Sequence, residues 1–362
     1  MNLWWFALIF SCSILVFVEG QRNCASLKSC SECANSTDCT GTTCTWCSET
    51  QACVPYIFNV CPLNARVDVA YNCPWNVLNT EKYDDTFVRQ TVADLICAAN
   101  QQDAVNIQRS LQGKYPGALV TNFYTTNCWN DTLLWPFNIN SNNMLCFAYT
   151  VIIDSAKLIA LIFTSTPNVA AIVAKLSNPF ALPRYVDPQN LNGKVYDCFA
   201  YPFNELWTSG VANDYNSLIS KVPEYKTLVI GYSIGGAMAS LASDIISQRF
   251  TSGNSANLEL YTFGAPRIGD MNYAMAHDQL VPNTYRIINR LDPIPLSPPR
   301  AFSPDPPFHS RHEVWYKDST MSNTKFTIFH MAEDPTGRIS SIFSENNDHL
   351  NYFGRNLQTC LP

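Results

Sequence analysis

Gly231-Tyr232-Ser233-Ile234-Gly235 decides how this chain is read. The five residues fit G-x-S-x-G, the pattern of a serine nucleophile carried on a tight turn between a strand and a helix. Lys226–Ile230, just before them, is a short apolar run that predicts a strand; Gly236–Arg249, just after, is rich in Ala, Met, Leu and Ile and predicts a helix. Gly231 and Gly235 leave strand and helix free to close on each other without a Cβ in the way. The helix start directs backbone N–H groups at any oxyanion that forms there. The competing reading is a glycine-rich turn with an idle serine.

A serine nucleophile needs a base, and the base an orienting carboxylate. On a strand–turn–helix scaffold they follow in the order Ser, Asp/Glu, His. The chain holds only five histidines: His277, His309, His312, His330 and His349. Asp292 is the preferred acid. It follows the strand-like Tyr285–Asn289 at its C-terminal edge, where active-site loops of α/β sheets gather, and Pro293 turns the chain after it. Asp270, after Pro266-Arg267-Ile268-Gly269, is the competitor. His349 is the preferred base, in the polar Asn346-Asn347-Asp348-His349 with Leu350 and Tyr352-Phe353 as apolar anchors. His309 and His312 flank a strand and are read as structural, His277 precedes the acid, and His330 lacks a clear loop setting.

The 362 residues suffice for one large α/β domain and a small module. Residues 1–20 predict a secretory signal: Leu3 to Val18 is almost unbroken apolar sequence, although no Lys or Arg precedes it. A membrane anchor is the alternative, for which the run is short; no later stretch is long and apolar enough to span a bilayer. Fifteen cysteines agree with export, 14 of them beyond Cys12, and Asn35-Ser36-Thr37 and Asn130-Asp131-Thr132 are glycosylation acceptors in that setting. A formal net charge of −6 and the lack of any Lys/Arg run exclude nucleic acid as a partner.

Nine cysteines fall between Cys24 and Cys73, and five are scattered beyond. The dense segment is too short and polar for much of a core, so disulfides must replace burial there. The pairs Cys30/Cys33 and Cys44/Cys47 leave zinc as the lesser reading. Nine and five are both odd, so full pairing would require a bridge between module and main domain. Domain expectations are 1–20 signal, 21–75 cysteine-rich module and 76–362 main domain. In the last, strand-like runs (118–124, 145–153, 158–164, 226–230, 258–262, 284–289, 312–317) alternate with helical ones (85–99, capped by Asp84, then 169–176, 205–221 and 236–249). That predicts a central, mostly parallel sheet covered on both faces. A proline-rich stretch from Pro293 to Pro307 is read as a preformed loop wall or a stiff connection.

Together these motifs resemble the class 3, or fungal-type, lipases over roughly Leu158–Phe353. Tyr232-Ser233-Ile234-Gly235-Gly236-Ala237 is similar to the family's H-S-L-G-G-A. Thr262 to Gly269 is similar to T-F-G-x-P-R-V-G, Asn289-Arg290-Leu291-Asp292-Pro293-Ile294-Pro295 to N-x-x-D-P-V-P, and His349 to Phe353 to H-x-x-Y-F. The resemblance implies an α/β-hydrolase fold and hydrolysis of lipid esters, with Ser233, Asp292 and His349 as nucleophile, acid and base. It implies no metal or organic cofactor. His309 matches a family histidine outside the triad. The family's F-R-G-T or F-R-G-S is replaced by Phe163-Thr164-Ser165-Thr166, so Thr166 stands at the oxyanion position, with the Ile234 N–H as second donor. The lost glycine, with Tyr232 in place of His, leaves room for a slow enzyme or one of altered specificity. Val169–Leu176, between Pro167 and Pro179, occupies the place of the family's lid; a buried core helix is the other reading. Cys44-Thr45-Trp46-Cys47 followed by Cys53 resembles the plexin–semaphorin–integrin module, which implies a spacer or protein-interaction role. The sequence thus predicts a secreted lipase-like serine hydrolase acting on lipid esters at a lipid–water interface. The rivals are a catalytically impaired lipid-binding or adhesion protein on the same scaffold and a hydrolase of polysaccharide-linked esters.

Overall fold

The computed structural model describes residues 23–57, 61–62, 65–73, 83–129, 144–166, 168–177, 185–186, 191–249, 257–300, 305–318, 321 and 325–360. The predicted signal at 1–20, Asn130, Pro167 and Pro179 lie outside them.

Chain contacts divide the protein into two units, one of residues 1–76 with 331–336, the other of 77–330 with 337–362. In the first, β1 (Cys44–Cys47) lies between β2 (Ala52–Pro55) and β3 (Arg66–Val67). Trp46 is buried among Cys24, Cys33, Cys44, Cys53 and Val67. The bridges of this unit include Cys24–Cys44, Cys30–Cys73, Cys33–Cys53 and Cys47–Cys61, and Cys39 is also disulfide-bonded. Each C-x-x-C pair therefore sends its two sulfurs to different partners, so these cysteines are disulfide-forming and not zinc ligands.

The second unit is built on an eight-stranded sheet ordered β13-β12-β11-β10-β9-β6-β5-β4. Its strands are β4 (Ala118–Asn127), β5 (Leu145–Ile153), β6 (Leu158–Ser165), β9 (Lys226–Tyr232), β10 (Leu258–Phe263), β11 (Thr284–Asn289), β12 (Glu313–Tyr316) and β13 (Thr327–Phe329). A separate hairpin pairs β7 (Tyr185–Val186) with β8 (Val195–Tyr196). Neighbours from β6 through β12 run parallel, while β4–β5, β5–β6 and β12–β13 are antiparallel. This mixed, mostly parallel sheet is that of an α/β-hydrolase fold.

Strand β6 shows why the layers form. Ile159, Leu161 and Phe163 point into one core, with side chains of the helices Val169–Leu176, Asp197–Leu206 and Ile234–Arg249. Leu158, Ala160 and Ile162 point into the other, with Val88, Val92, Leu95, Ile107 and Leu111. Successive side chains of a strand face opposite ways, so an unbroken apolar run marks a strand buried on both sides.

Several elements differ from the sequence reading. The predicted helix 205–221 starts earlier, at Asp197, and passes through a π-turn at Trp207–Val211. Asp84 caps its helix as expected, accepting from the N–H groups of Thr86 and Phe87. The helices Ala104–Gln112 and Met271–Leu280 and strand β13 were not foreseen. Cys97–Cys360 and Cys128–Cys146 bridge the second unit, and Cys198 keeps a free thiol. The parity argument for a bridge between module and main domain therefore falls, because it required every thiol to be paired.

Candidate functional site

Strand β9 ends at Tyr232 and the helix begins at Ile234, so Ser233 alone makes the corner. Its φ is +60°, a left-handed conformation that a non-glycine residue adopts only under constraint. The constraint is visible: Ser233 N–H donates to the Phe263 carbonyl at 2.9 Å. Strand and helix also pass too close for side chains. A Cβ on Gly231 would lie 2.3 Å from the Gly235 oxygen, and one on Gly235 2.2 Å from the Phe163 oxygen.

Asp292 lies three residues past β11, in a turn where its N–H donates to the Asn289 carbonyl at 3.0 Å. His349 lies in the short helix Asn346–Leu350, capped by Glu345. The fold brings these distant segments together. His349 Nε2 is 2.9 Å from Ser233 Oγ, and His349 Nδ1 is 3.0 and 2.9 Å from Asp292 Oδ1 and Oδ2. Asp292 also receives the Ile294 N–H on Oδ1 at 2.9 Å and the Tyr352 hydroxyl on Oδ2 at 2.6 Å. Facing two other donors, it meets His349 as an acceptor. Nδ1 therefore carries the proton and Nε2 is left to accept from Ser233. All three residues have 0% exposure, so the row is closed off from solvent in this conformation.

The surroundings fix the row. Gly264 has φ +55°, and a Cβ there would come within 2.4 Å of Asp292 Oδ2 and 2.8 Å of His349 Nδ1. Asn289 Nδ2 donates to the carbonyls of Asp348 and Asn351, and Leu291 N–H to Asp348 Oδ2, tying the acid loop to the histidine helix. Partial burial raises the pKa of Asp348. The fully buried Arg338 donates to the carbonyls of Asp292, Leu291, Ser341 and Phe343. Sequence reasoning missed Arg338, Tyr352 as a partner of Asp292, and Gly264.

The other candidates have different partners. Asp270 caps the helix Met271–Leu280. His277 stands between Asp244 Oδ1, 2.6 Å from Nδ1, and Thr284 Oγ1, 3.0 Å from Nε2. Because Thr284 gives its own proton to the Val281 carbonyl, both ring nitrogens of His277 donate. Burial pulls its pKa down, but the charge and hydrogen bond of Asp244 together with the charge of Asp278 leave it raised. Both nitrogens of this buried ring are thus engaged by Asp244 and Thr284 and not by Ser233. His309 bonds the Pro295 carbonyl at 2.7 Å, and His312 sits against the Thr284 carbonyl. His330 faces the ring of His312. Arg267 reaches the carbonyls of Leu296 and Pro298, so the first part of the proline-rich stretch is held in place.

At the predicted oxyanion position, Ile234 is the first residue of its helix, so its N–H has no acceptor within the helix. Thr166 is occupied: its N–H donates to the Leu145 carbonyl at 2.7 Å and its Oγ1 accepts the Leu145 N–H at 2.8 Å. The helix Val169–Leu176 buries Val169, Ile172, Lys175 and Leu176 and packs against Asn346–Leu350 and Ile294–Leu296. Lys175 Nζ lies 4.0 Å from the centre of the Trp129 ring.

A hydrogen-bonded Ser–His–Asp row at the strand–helix corner of an α/β-hydrolase fold is the arrangement of serine hydrolases. The comparisons agree with that class. Residues 160–302 match the family model described as lipase (class 3). A lipase of Rhizomucor miehei is 30% identical over 207 residues, 57% of this chain and 55% of its own. The chain spans about half the length of the first curated relatives it matches. The crystal structure of a lipase from Rhizopus microsporus var. chinensis superposes with a TM-score of 0.61 at 23% identity, covering 80% of this chain and 96% of that one. The Rhizomucor miehei triacylglyceride lipase does so with 0.58 at 25% identity, covering 76% and 95%. Among the described residues no helix is long and apolar enough to cross a membrane, and no cluster suited to a metal ion occurs.

Proposed function

We propose that this protein is a secreted serine hydrolase that cleaves carboxylic esters of lipids through an acyl-enzyme. The observation that carries the reading is the row Ser233 Oγ–His349–Asp292, with 2.9 Å at each link. His349 takes the Ser233 proton as the oxygen attacks the ester carbonyl. Asp292 holds the ring in the correct tautomer and stabilises its charge. The Ile234 N–H and Thr166 receive the tetrahedral oxyanion, His349 passes the proton to the departing alcohol, and water then clears the acyl group.

The closed site requires an opening step. The helix Val169–Leu176 is the proposed lid, its apolar side chains released onto lipid. Residues 1–20 are the proposed signal, 21–75 a disulfide-stapled spacer or interaction module of plexin–semaphorin–integrin type, and 76–362 the hydrolase domain. Asn35, exposed in its unit, is a proposed glycosylation site, and Asn130 a second.

The engagement of Thr166 by Leu145 favours one rival, an impaired lipase-like protein that binds lipid without turnover. A panel of esters tested on the purified protein, monomeric and aggregated at matched concentration, separates the readings. Hydrolysis that rises on aggregation supports a lidded lipase. Equal rates on both forms remove the lid, and no turnover of any ester leaves the binding protein.

A further inference from the structure

We infer that Tyr232, the residue before the nucleophile, is a positioning residue for the imidazole of His349. The inference rests on the hydrolase reading for its catalytic consequence, and on geometry alone for the contact.

The ring of His349 has to satisfy two partners at opposite edges, Asp292 at Nδ1 and Ser233 at Nε2. Those two bonds define an axis and leave the ring free to tilt about it. Tyr232 removes that freedom. Its ring stacks on the imidazole, with centroids 5.0 Å apart and planes 20° from parallel. Its hydroxyl donates to the His349 carbonyl at 2.9 Å, so one side chain restrains both ring and backbone of the base. Tyr352 meets the Tyr232 ring edge-on, with centroids 6.3 Å apart, while holding Asp292, which ties the brace into the same network. Burial and the charge of Asp292 raise the phenol pKa far above its usual value, so Tyr232 stays neutral as His349 cycles. A neutral aromatic face also favours the imidazolium that forms when Ser233 gives up its proton. The groups facing the pair are Asp292 and Tyr352 at one edge, Ser233 at the other and Gln358 at the phenol, with Asp348 adjacent in the chain. The brace belongs to this sequence in particular, because the class 3 pattern carries His at this position.

The test combines a spectroscopic and a kinetic measurement on the full chain. In the wild-type protein the carbon-bound ring protons of His349, assigned with labelled histidine and His349→Gln, should be shifted upfield by the tyrosine ring current. Its Nδ1–H should give a sharp low-field resonance. In Tyr232→Phe, which keeps the face and loses the hydroxyl, both signals should persist. In Tyr232→Leu the upfield shift should vanish and the low-field resonance broaden. On a soluble monomeric ester, Tyr232→Leu should lower kcat about ten- to a hundredfold with KM little changed, and Tyr232→Phe should recover most of it. Unshifted wild-type ring protons would overturn the stack even if Tyr232→Leu does not fold. A folded Tyr232→Leu with wild-type kcat would overturn the positioning role. A wild-type protein with the predicted spectrum and no esterase activity would instead count against the hydrolase reading alone.

Discussion

Thr166 and Leu145 exchange two backbone-directed hydrogen bonds, at 2.7 and 2.8 Å, and the Thr166 hydroxyl turns its own proton toward the same Leu145 carbonyl at 3.4 Å. A residue proposed to stabilise an oxyanion is thus committed elsewhere in the closed conformation. On the proposed reading the reactive state has to free it, and the proposed opening of the Val169–Leu176 helix, which follows three residues later, would supply a route. Removing one oxyanion donor costs about 100- to 1,000-fold, so Thr166→Val should reduce kcat on a soluble ester by about 100-fold while Thr166→Ser stays near wild type. A Thr166→Val enzyme at full rate would take Thr166 out of the hole.

Asp292 accepts from His349, Ile294 and Tyr352 at once. Asp292→Asn keeps the shape but offers a donor where His349 needs an acceptor, and should lower kcat by about 10⁴-fold. Tyr352→Phe removes one bond to the carboxylate, worth about 1.5–3 kcal/mol when a charged group is involved. Its effect should appear first in thermal stability, read by calorimetry, with a smaller loss of kcat.

Arg338 is fully buried, and its guanidinium serves four backbone carbonyls from two loops. Arg338→Met leaves those acceptors without a donor at about 1–3 kcal/mol each where water cannot reach them, so a loss of at least about 3 kcal/mol is expected in urea unfolding with disulfides intact. Arg338→Lys should rescue poorly, because an ammonium cannot span the planar fork.

His312 gives the fold a pH dependence. Burial, reinforced by electrostatic repulsion from His330, Arg311 and Arg286, lowers its pKa to about 4. In the unfolded chain it titrates near 6.5. Between those values the unfolded state holds the extra proton, so stability falls as pH drops from about 6.5 toward 4, by about 3 kcal/mol for the whole shift. His277 acts in the opposite sense: its raised pKa gives stability that is present below 6.5 and is lost as pH rises through its folded value. Urea midpoints at pH 7 and 4.5 should show a clear drop for the wild type and a smaller one for His312→Gln. Equal drops would remove His312 as the cause.

What was legible in the sequence is what local chemistry dictates. The corner at Ser233 needs small neighbours on both sides, and the apolar runs of β6 and β9 need burial on two faces; both leave marks within a few residues. The choice of Asp292 and His349 rested on chain order and on motifs spaced over 116 residues, and the structure brings His349 to Ser233 and Asp292 to His349. The helix Met271–Leu280 was hidden because it buries Tyr273, Ala274, His277 and Asp278, a mixed face without a clean apolar stripe. Arg338 and Tyr352 were silent because their partners, the carbonyls of the acid loop and the Asp292 carboxylate, come from sequence 46 to 60 residues away. Cysteine parity misled because it assumed a partner for Cys198, a thiol whose pKa burial pushes up and which is left unpaired.

Labelling with a fluorophosphonate tests the central claim most directly, since the reagent reacts only with a serine activated by its neighbours. The account predicts one adduct, located by peptide mass mapping on Ser233, lost in Ser233→Ala and strongly slowed in His349→Ala. An unlabelled wild-type protein under conditions that open the site, or an adduct that survives Ser233→Ala, would contradict it.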